Sequence, residues 1–289
     1  MRCFCVVTPL VAALSSSAML SNAEQEGQPP ATRAPGWWSV FTPGGFIRRY
    51  GRLSPRPWRV DSVLELVLGL LTLLGLLALV ALGVDWLTGG LALGTRRFNV
   101  SIGGTLLFQA LALALVARFL RQNQLTWTQA FGLGHPQWGR ALLVGLVAGV
   151  LVFPPNLTLM WVSQRLLEWQ SLPAVPQEAV QTLRTTNVAA QKVLLGLLAI
   201  LTAPVVEETL FRGLLYPALK QVGFPRLALW GTSVVFAITH ANLMTFLPLT
   251  FFAVVLTLLY ERTDNLLAPM VTHSLFNAGN FIWVLVANQ

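Results

Sequence analysis

Long apolar runs separated by short polar segments are the feature of this sequence that most limits its fold. They cover residues 63–84, 102–117, 141–162, 193–215, 227–243, 246–260 and 266–286. A bilayer core about 30 Å thick is crossed by roughly 20 apolar helical residues, and only helices and closed barrels satisfy their backbone hydrogen bonds there. The runs lack the alternation of barrel strands. We therefore predict an all-α, polytopic transmembrane helical bundle of about seven to eight spans.

The composition agrees with a chain embedded in a membrane. Hydrophobic residues make up 55% of the sequence and charged residues only 10%, whereas about a quarter of a soluble domain is charged. The net charge of +8 comes mostly from basic residues between the apolar runs, which indicates a membrane face rather than nucleic acid. We expect a multi-pass protein of the cell membrane, in contact with lipid and with no nucleic-acid partner.

The sequence divides into four predicted segments. They are a possible signal-like leader (1–23), a basic membrane-surface tail (24–59), N-terminal transmembrane helices (60–191) and a C-terminal transmembrane core (192–289). Trp37, Trp38 and Trp58 of the tail are expected at headgroup level. The distribution of lysine and arginine favours a cytoplasmic tail, whereas a cleaved leader would carry that tail across the membrane. We favour the cytoplasmic tail.

Polar side chains inside the later runs are candidates for a functional site, because a charged group at mid-bilayer costs about 2.5 kcal/mol or more. These side chains are Glu207, Glu208, Arg212, His240, His273 and Asn277. Counting 1.5 Å per helical residue from the ends of the runs brings the residues on three helices to a similar depth. The sequence therefore predicts one buried site.

The spacing of the acidic pair predicts two different roles. Glu208 and Arg212 are four residues apart, so they share a helix face and can pair. Glu207 is rotated by about 100° from Glu208 on the helix. Glu207 is therefore the carboxylate expected to be left for chemistry.

The histidines limit the chemistry that is available. His273 and Asn277 are four residues apart, as are Phe236 and His240. A glutamate beside a histidine can activate water as a general base, and a second histidine with an asparagine can stabilise an oxyanion. The set indicates a hydrolase of amide bonds. Alternatively, Glu207, His240 and His273 could hold a zinc ion, and the residues alone leave both readings open.

Three motifs resemble those of a known family. The sequence contains E-E-x-x-x-R at 207–212, F-x-x-x-H at 236–240 and H-x-x-x-N at 273–277. In this order they resemble the CAAX-protease and bacteriocin-processing (CPBP, or abi) family of intramembrane proteases. The resemblance covers about the last third of the chain.

The resemblance implies an intramembrane endopeptidase of the CAAX prenyl protease type. Glu207 and His240 would activate the water, and His273 and Asn277 would stabilise the oxyanion. The supporting residues would be Glu208, Arg212 and Phe236. The expected substrate is a membrane-embedded or lipid-modified peptide. We favour a mechanism without a cofactor, because the asparagine is a poor zinc ligand and a good hydrogen-bond donor.

Two other classes of function fit the sequence less well. A non-catalytic membrane scaffold or bacteriocin-immunity protein would tolerate the loss of Glu207, and the retention of every motif position argues against it. A proton-coupled transporter would carry broken helices in both halves. Polar mid-span residues occur only in the second half, so the transporter ranks last.

Overall fold

The computed structural model describes residues 53–87, 95–134 and 136–287, apart from the side chains of residues 95–97. The predicted leader and the tail up to residue 52 lie outside these residues. Within them, the chain is helical and contains no strand, which confirms the predicted all-α bundle. The division between N-terminal helices and catalytic core at residues 191 and 192 stays a prediction.

The first half of the described chain contains six helices, followed by the segment that carries the acidic pair. The helices are α1 (Val60–Leu87), α2 (Thr95–Gln122), α3 (Trp127–Phe131), α4 (Trp138–Leu151), α5 (Phe153–Trp169) and α6 (Glu178–Thr185). The segment consists of α7 (Ala189–Leu197), a π-helical turn (Leu198–Thr202), α8 (Ala203–Glu208), a second π-helical turn (Thr209–Leu215) and α9 (Tyr216–Gln221). The last helices are α10 (Pro225–Thr239), α11 (Leu243–Thr263) and α12 (Leu267–Ala287).

Six helical stretches of the described chain are long and apolar enough to cross a membrane. They are Val60–Leu87, Phe98–Gln122, Trp138–Trp169, Ala189–Gln221, Leu243–Thr263 and Leu267–Ala287. They correspond to six of the predicted runs. The fifth predicted run, 227–243, differs, because α10 has only 15 residues and the chain turns at residues 240–242.

Helices α4 and α12 pack closely because α4 carries glycines at their contact. A Cβ atom on Gly145 would lie 2.7 Å from the carbonyl oxygen of Ala268, and one on Gly149 would lie 2.7 Å from a methyl carbon of Leu275. The Thr272 hydroxyl on α12 donates a hydrogen bond of 2.9 Å to the Gly145 carbonyl. This contact fixes the helix that carries His273 and Asn277.

Trp58 does not lie free on the surface, as its place in a membrane-surface tail suggests. Its side chain is buried, with ring centroids 5.9 Å from Phe119 and 6.3 Å from Phe131. Arg56 is buried as well and donates hydrogen bonds to the Tyr260 hydroxyl at 2.6 Å and to Asp264 at 2.7 Å. The composition of the tail could not indicate this docking, because the partners lie on helices much further along the chain.

Two sets of contacts show which helix ends lie together. Arg56 contacts Gln221 at the end of α9 and Asp264 at the end of α11, and we call this the Arg56 end of the bundle. At the His240 end, the Asn242 side chain donates to the Val175 carbonyl. This arrangement agrees with the alternating direction of the predicted runs.

We expect Gly145→Ala to destabilise the bundle. The added methyl group would press on the α12 backbone, which costs about 1–3 kcal/mol for an overpacked core. Gly139→Ala in the same helix is the matched control, since nothing lies within 4 Å of its added carbon. The midpoint of thermal unfolding in detergent should fall for Gly145→Ala and not for the control. An equal or higher midpoint for Gly145→Ala would contradict the close approach of α4 and α12.

Candidate active site

The acidic pair lies at the end of α8, between the two π-helical turns. Pro204 is in the first turn of α8, which continues directly from the first π-helical turn, and its missing N–H removes a helical hydrogen bond to that turn. Widened π-helical turns are rare and frequently occur at functional sites. Here, one turn precedes the acidic pair and the other contains Arg212.

Glu208 is fully buried, and one of its oxygens binds two side chains while its Oε2 atom has no hydrogen-bond partner among the described residues. Its Oε1 atom accepts hydrogen bonds from Arg212 Nη1 at 2.9 Å and from His273 Nδ1 at 2.8 Å. The predicted pairing of Glu208 with Arg212 is therefore present in the structure. The bond from His273 also ties α8 to α12.

The Arg212 side chain is fixed inside the bundle by polar and aromatic contacts. Besides Glu208, its guanidinium donates a hydrogen bond of 3.1 Å to the Ala253 carbonyl on α11. Its central carbon lies 4.5 Å from the centroid of the Phe236 ring, within the range of a cation–π contact. The side chain is 1% exposed, so removing either charge of the pair would leave the other buried.

Glu207 is the carboxylate of the pair that makes no hydrogen bond to Arg212 or His273. Its Oε2 atom lies 3.8 Å from His273 Nε2, too far for a hydrogen bond. This buried oxygen accepts no hydrogen bond from the described part of the chain. The side chain as a whole is 29% exposed, so it is also the carboxylate that can be reached from outside the cluster.

His240 follows the last residue of α10. Its Nδ1 atom lies 2.8 Å from the Phe236 carbonyl, and the two rings have centroids 4.9 Å apart. The Phe236 ring also contacts His273 edge to face, with centroids 5.9 Å apart. Phe236 therefore contacts both histidines, and its supporting role stays a prediction.

Asn277 has a different partner from His273, although both were expected to face one spot. Its amide donates a hydrogen bond of 2.8 Å to the Ala199 carbonyl in the first π-helical turn. His273 points to the acidic pair instead. Asn277 thereby ties α12 to the segment that leads to Glu207.

The structure thus brings Glu207, Glu208, Arg212 and His273 into one buried cluster. His240 joins this cluster through the Phe236 ring. Sequence reasoning missed Phe252, whose ring packs edge to face on His273 with centroids 5.2 Å apart. No signal marks it in the sequence, because it is one apolar residue within an apolar run.

The positions of Glu207, His240 and His273 bear on the alternative prediction of a zinc site. Within the described residues, no three His, Cys, Asp or Glu side chains lie where they could share one metal ion. Glu207, His240 and His273 therefore do not form a ready ligand set.

Comparison with known protein families agrees with the motifs. Residues 189–279 match the family model described as type II CAAX prenyl endopeptidase Rce1-like. The C-terminal third of the chain is therefore similar to this CAAX-protease family. The matched region contains Glu207, Glu208, His240, His273 and Asn277. No curated protein and no solved structure matches the chain.

The family match and the apolar helices together indicate the general class of the molecule. The match supports a hydrolase of the CAAX-type intramembrane protease class in general. The six long apolar helices of the described residues make it an integral membrane protein. Both the predicted family and the predicted membrane architecture are confirmed.

We expect Arg212→Met to destabilise the protein strongly, because it leaves the buried Glu208 without its cation. Breaking a buried ion pair costs about 3–5 kcal/mol. Glu208→Gln in the Arg212→Met background should recover part of this loss, since no uncompensated charge remains. Unfolding midpoints of the two single variants and the double variant measure this coupling. Additive effects would mean that the two side chains do not act as a pair.

Proposed function

We propose that this protein is an intramembrane endopeptidase in which Glu207 activates the attacking water. The observation that carries the proposal is the position of Glu207, whose Oε2 atom lies 3.8 Å from His273 Nε2 without a hydrogen-bond donor in a side chain that is 29% exposed. Glu208, in contrast, is fully buried and bonded through Oε1 to Arg212 and His273. A carboxylate without a hydrogen-bond donor is available to bind a water and take its proton.

Charge balance supports this division between the two carboxylates. Glu208 and Arg212 compensate each other in a site that is nearly closed to solvent. Glu207 and His273 can reach neutrality as a carboxylate beside an imidazolium, or as a carboxylic acid beside a neutral imidazole. These two states differ by the position of one proton. A group that exchanges a proton at constant total charge is suited to general acid–base catalysis in a buried site.

The partners of the two histidines support different roles for their rings. A carbonyl oxygen only accepts hydrogen bonds, so the contact with Phe236 requires His240 Nδ1 to carry the hydrogen. The Nε2 atom of a neutral His240 is then a base. A carboxylate oxygen accepts hydrogen bonds, so the contact with Glu208 has His273 Nδ1 carrying a hydrogen. When His273 Nε2 also carries a hydrogen, that N–H can donate to an oxyanion.

The proposed reaction follows from these roles. Glu207 and His240 remove a proton from water as its oxygen attacks the carbonyl carbon of the peptide bond. His273, together with the second N–H of the Asn277 amide, donates to the oxyanion that forms. The removed proton passes to the departing amine nitrogen as the C–N bond breaks. We propose a membrane-embedded or lipid-modified peptide as the substrate and the cell membrane as its location.

Substitution of Glu207 should abolish cleavage without unfolding the protein. Glu207→Ala and Glu207→Gln remove the base, and loss of a general base lowers rates by about 10²–10⁴-fold. His240→Ala should also lower the rate. Cleavage is measured in membranes with labelled peptides, both prenylated and unmodified. Glu65→Gln is the control, since this exposed carboxylate on α1 is remote from the acidic pair in sequence. Undiminished cleavage by Glu207→Ala would overturn the mechanism and favour a non-catalytic scaffold or immunity protein.

Cleavage should not depend on a metal ion. A chelator added to the same membranes is expected to leave the rate unchanged, because Glu207 and the histidines supply the acid and base groups themselves. Loss of activity on chelation that is restored by zinc would contradict this mechanism. It would assign Glu207, His240 and His273 to a zinc site that forms only when the metal binds.

A further inference from the structure

A cleft lies at the His240 end of the bundle, outside the buried cluster. It has a volume of about 410 Å³ and lies between the segment that follows α5 and the turn that follows His240. Its lining includes Pro173, Val175 and Glu178 on one side and Ala241 and Met244 on the other. Since Ala241 directly follows His240, the cleft begins one residue from the proposed base.

The chain on one side of the cleft is not helical. Residues 172–177 have no helical or turn structure, and Pro173 and Pro176 favour an extended backbone at the residues that precede them. The backbone N–H and C=O groups of Ala174 make no hydrogen bond within the described residues. An extended segment with free backbone groups can pair with a second extended chain.

This extended segment is held in place by side chains of the opposite turn. Asn242 donates to the Val175 carbonyl at 2.9 Å, and the Gln177 side chain donates to the Thr245 hydroxyl at 3.0 Å. The Asn242 side chain also accepts from the Thr245 backbone N–H and so caps α11. The two sides of the cleft are therefore linked, and its shape does not depend on a free loop.

Glu178 gives the cleft its charge. It is the ionised residue of the lining, it is exposed, and it has no ion-pair partner among the described residues. The remaining lining is apolar or amide-bearing. A peptide segment with a basic side chain is the ligand that complements these groups in charge.

The opposite end of the bundle is closed by its own residues. Trp58 packs between Phe119 and Phe131, and Arg56 lies against Tyr260 and Asp264. A substrate peptide therefore has more room to approach the buried cluster from the His240 end.

We propose that this cleft binds the extended peptide segment next to the scissile bond, and that Glu178 selects a basic residue in it. The proposal rests on the peptidase function proposed above. Glu178 is a specificity residue that acts on peptide binding and takes no part in the bond-breaking step.

The test measures binding separately from cleavage. The full-length protein with Glu207→Gln, which is expected to bind a peptide without cleaving it, is titrated with two fluorescent prenylated C-a-a-X peptides. The peptides are identical except that one carries two lysines and the other two glutamates before the cysteine. We expect the lysine peptide to bind about two- to fivefold more tightly, the range for an exposed ion pair.

A charge reversal identifies the residue responsible. Glu178→Lys should reverse the preference between the two peptides. Glu65→Lys, the same change on α1, should leave the preference as it is. Peptide binding by the two variants is compared after their midpoints of thermal unfolding have been shown to be equal. Equal binding of the two peptides, no detectable binding, or a Glu178→Lys protein that behaves like the control would overturn the proposal.

Cleavage by the wild-type protein distinguishes the two proposals. If both peptides are cleaved in a Glu207-dependent way and Glu178→Lys changes nothing, the cleft proposal fails and the peptidase proposal stands. If neither peptide is cleaved but the lysine preference is present and reversed by Glu178→Lys, the peptidase proposal fails while the peptide-binding cleft stands.

Discussion

The Glu208 carboxylate, which accepts from both Arg212 and His273, is the interaction on which the rest of the site depends. A charge in this position is tolerated only because both partners are hydrogen-bonded to it. The same contact joins α8 to α12, while Arg212 continues to the Ala253 carbonyl on α11. The interactions that compensate the buried charges are therefore also the ones that hold the helices of the site together.

One consequence of this arrangement is that two adjacent glutamates have different environments. Glu208 is fully buried and bonded through Oε1 to Arg212 and His273, whereas Glu207 is 29% exposed and bonded to neither. The histidines differ in the same way, since His273 binds a carboxylate and His240 binds a carbonyl. The proposed mechanism therefore depends on the different hydrogen-bond partners that side chains of the same type have in this site.

Much of this could be predicted from the sequence, for identifiable physical reasons. The low solubility of polar groups in lipid restricts charges to a few positions, so those positions stand out against the apolar runs. Helical spacing then pairs Glu208 with Arg212. Spacing within a helix is local information. The predicted pair of Glu208 and Arg212 forms even though Arg212 lies in a π-helical turn.

Contacts between distant segments could not be predicted in the same way. The burial of Trp58 and Arg56 depends on partners on α2, α3 and α11, which no local pattern identifies. The early end of α10 was also missed, because the apolar character of the run continues beyond Thr239. Similarly, the approach of His273 rather than His240 to Glu207 is set by the packing of α12 against α4 and α8.

The central claim is that the two adjacent glutamates have separate duties, and comparing their conservative variants tests it most directly. Cleavage rate and unfolding midpoint are measured together for Glu207→Gln and Glu208→Gln in the same membranes. We expect Glu207→Gln to lose cleavage at a near wild-type midpoint and Glu208→Gln to show a clearly lowered midpoint. The reverse pattern, with cleavage by Glu207→Gln at the wild-type rate and a midpoint unaffected by Glu208→Gln, would contradict the account.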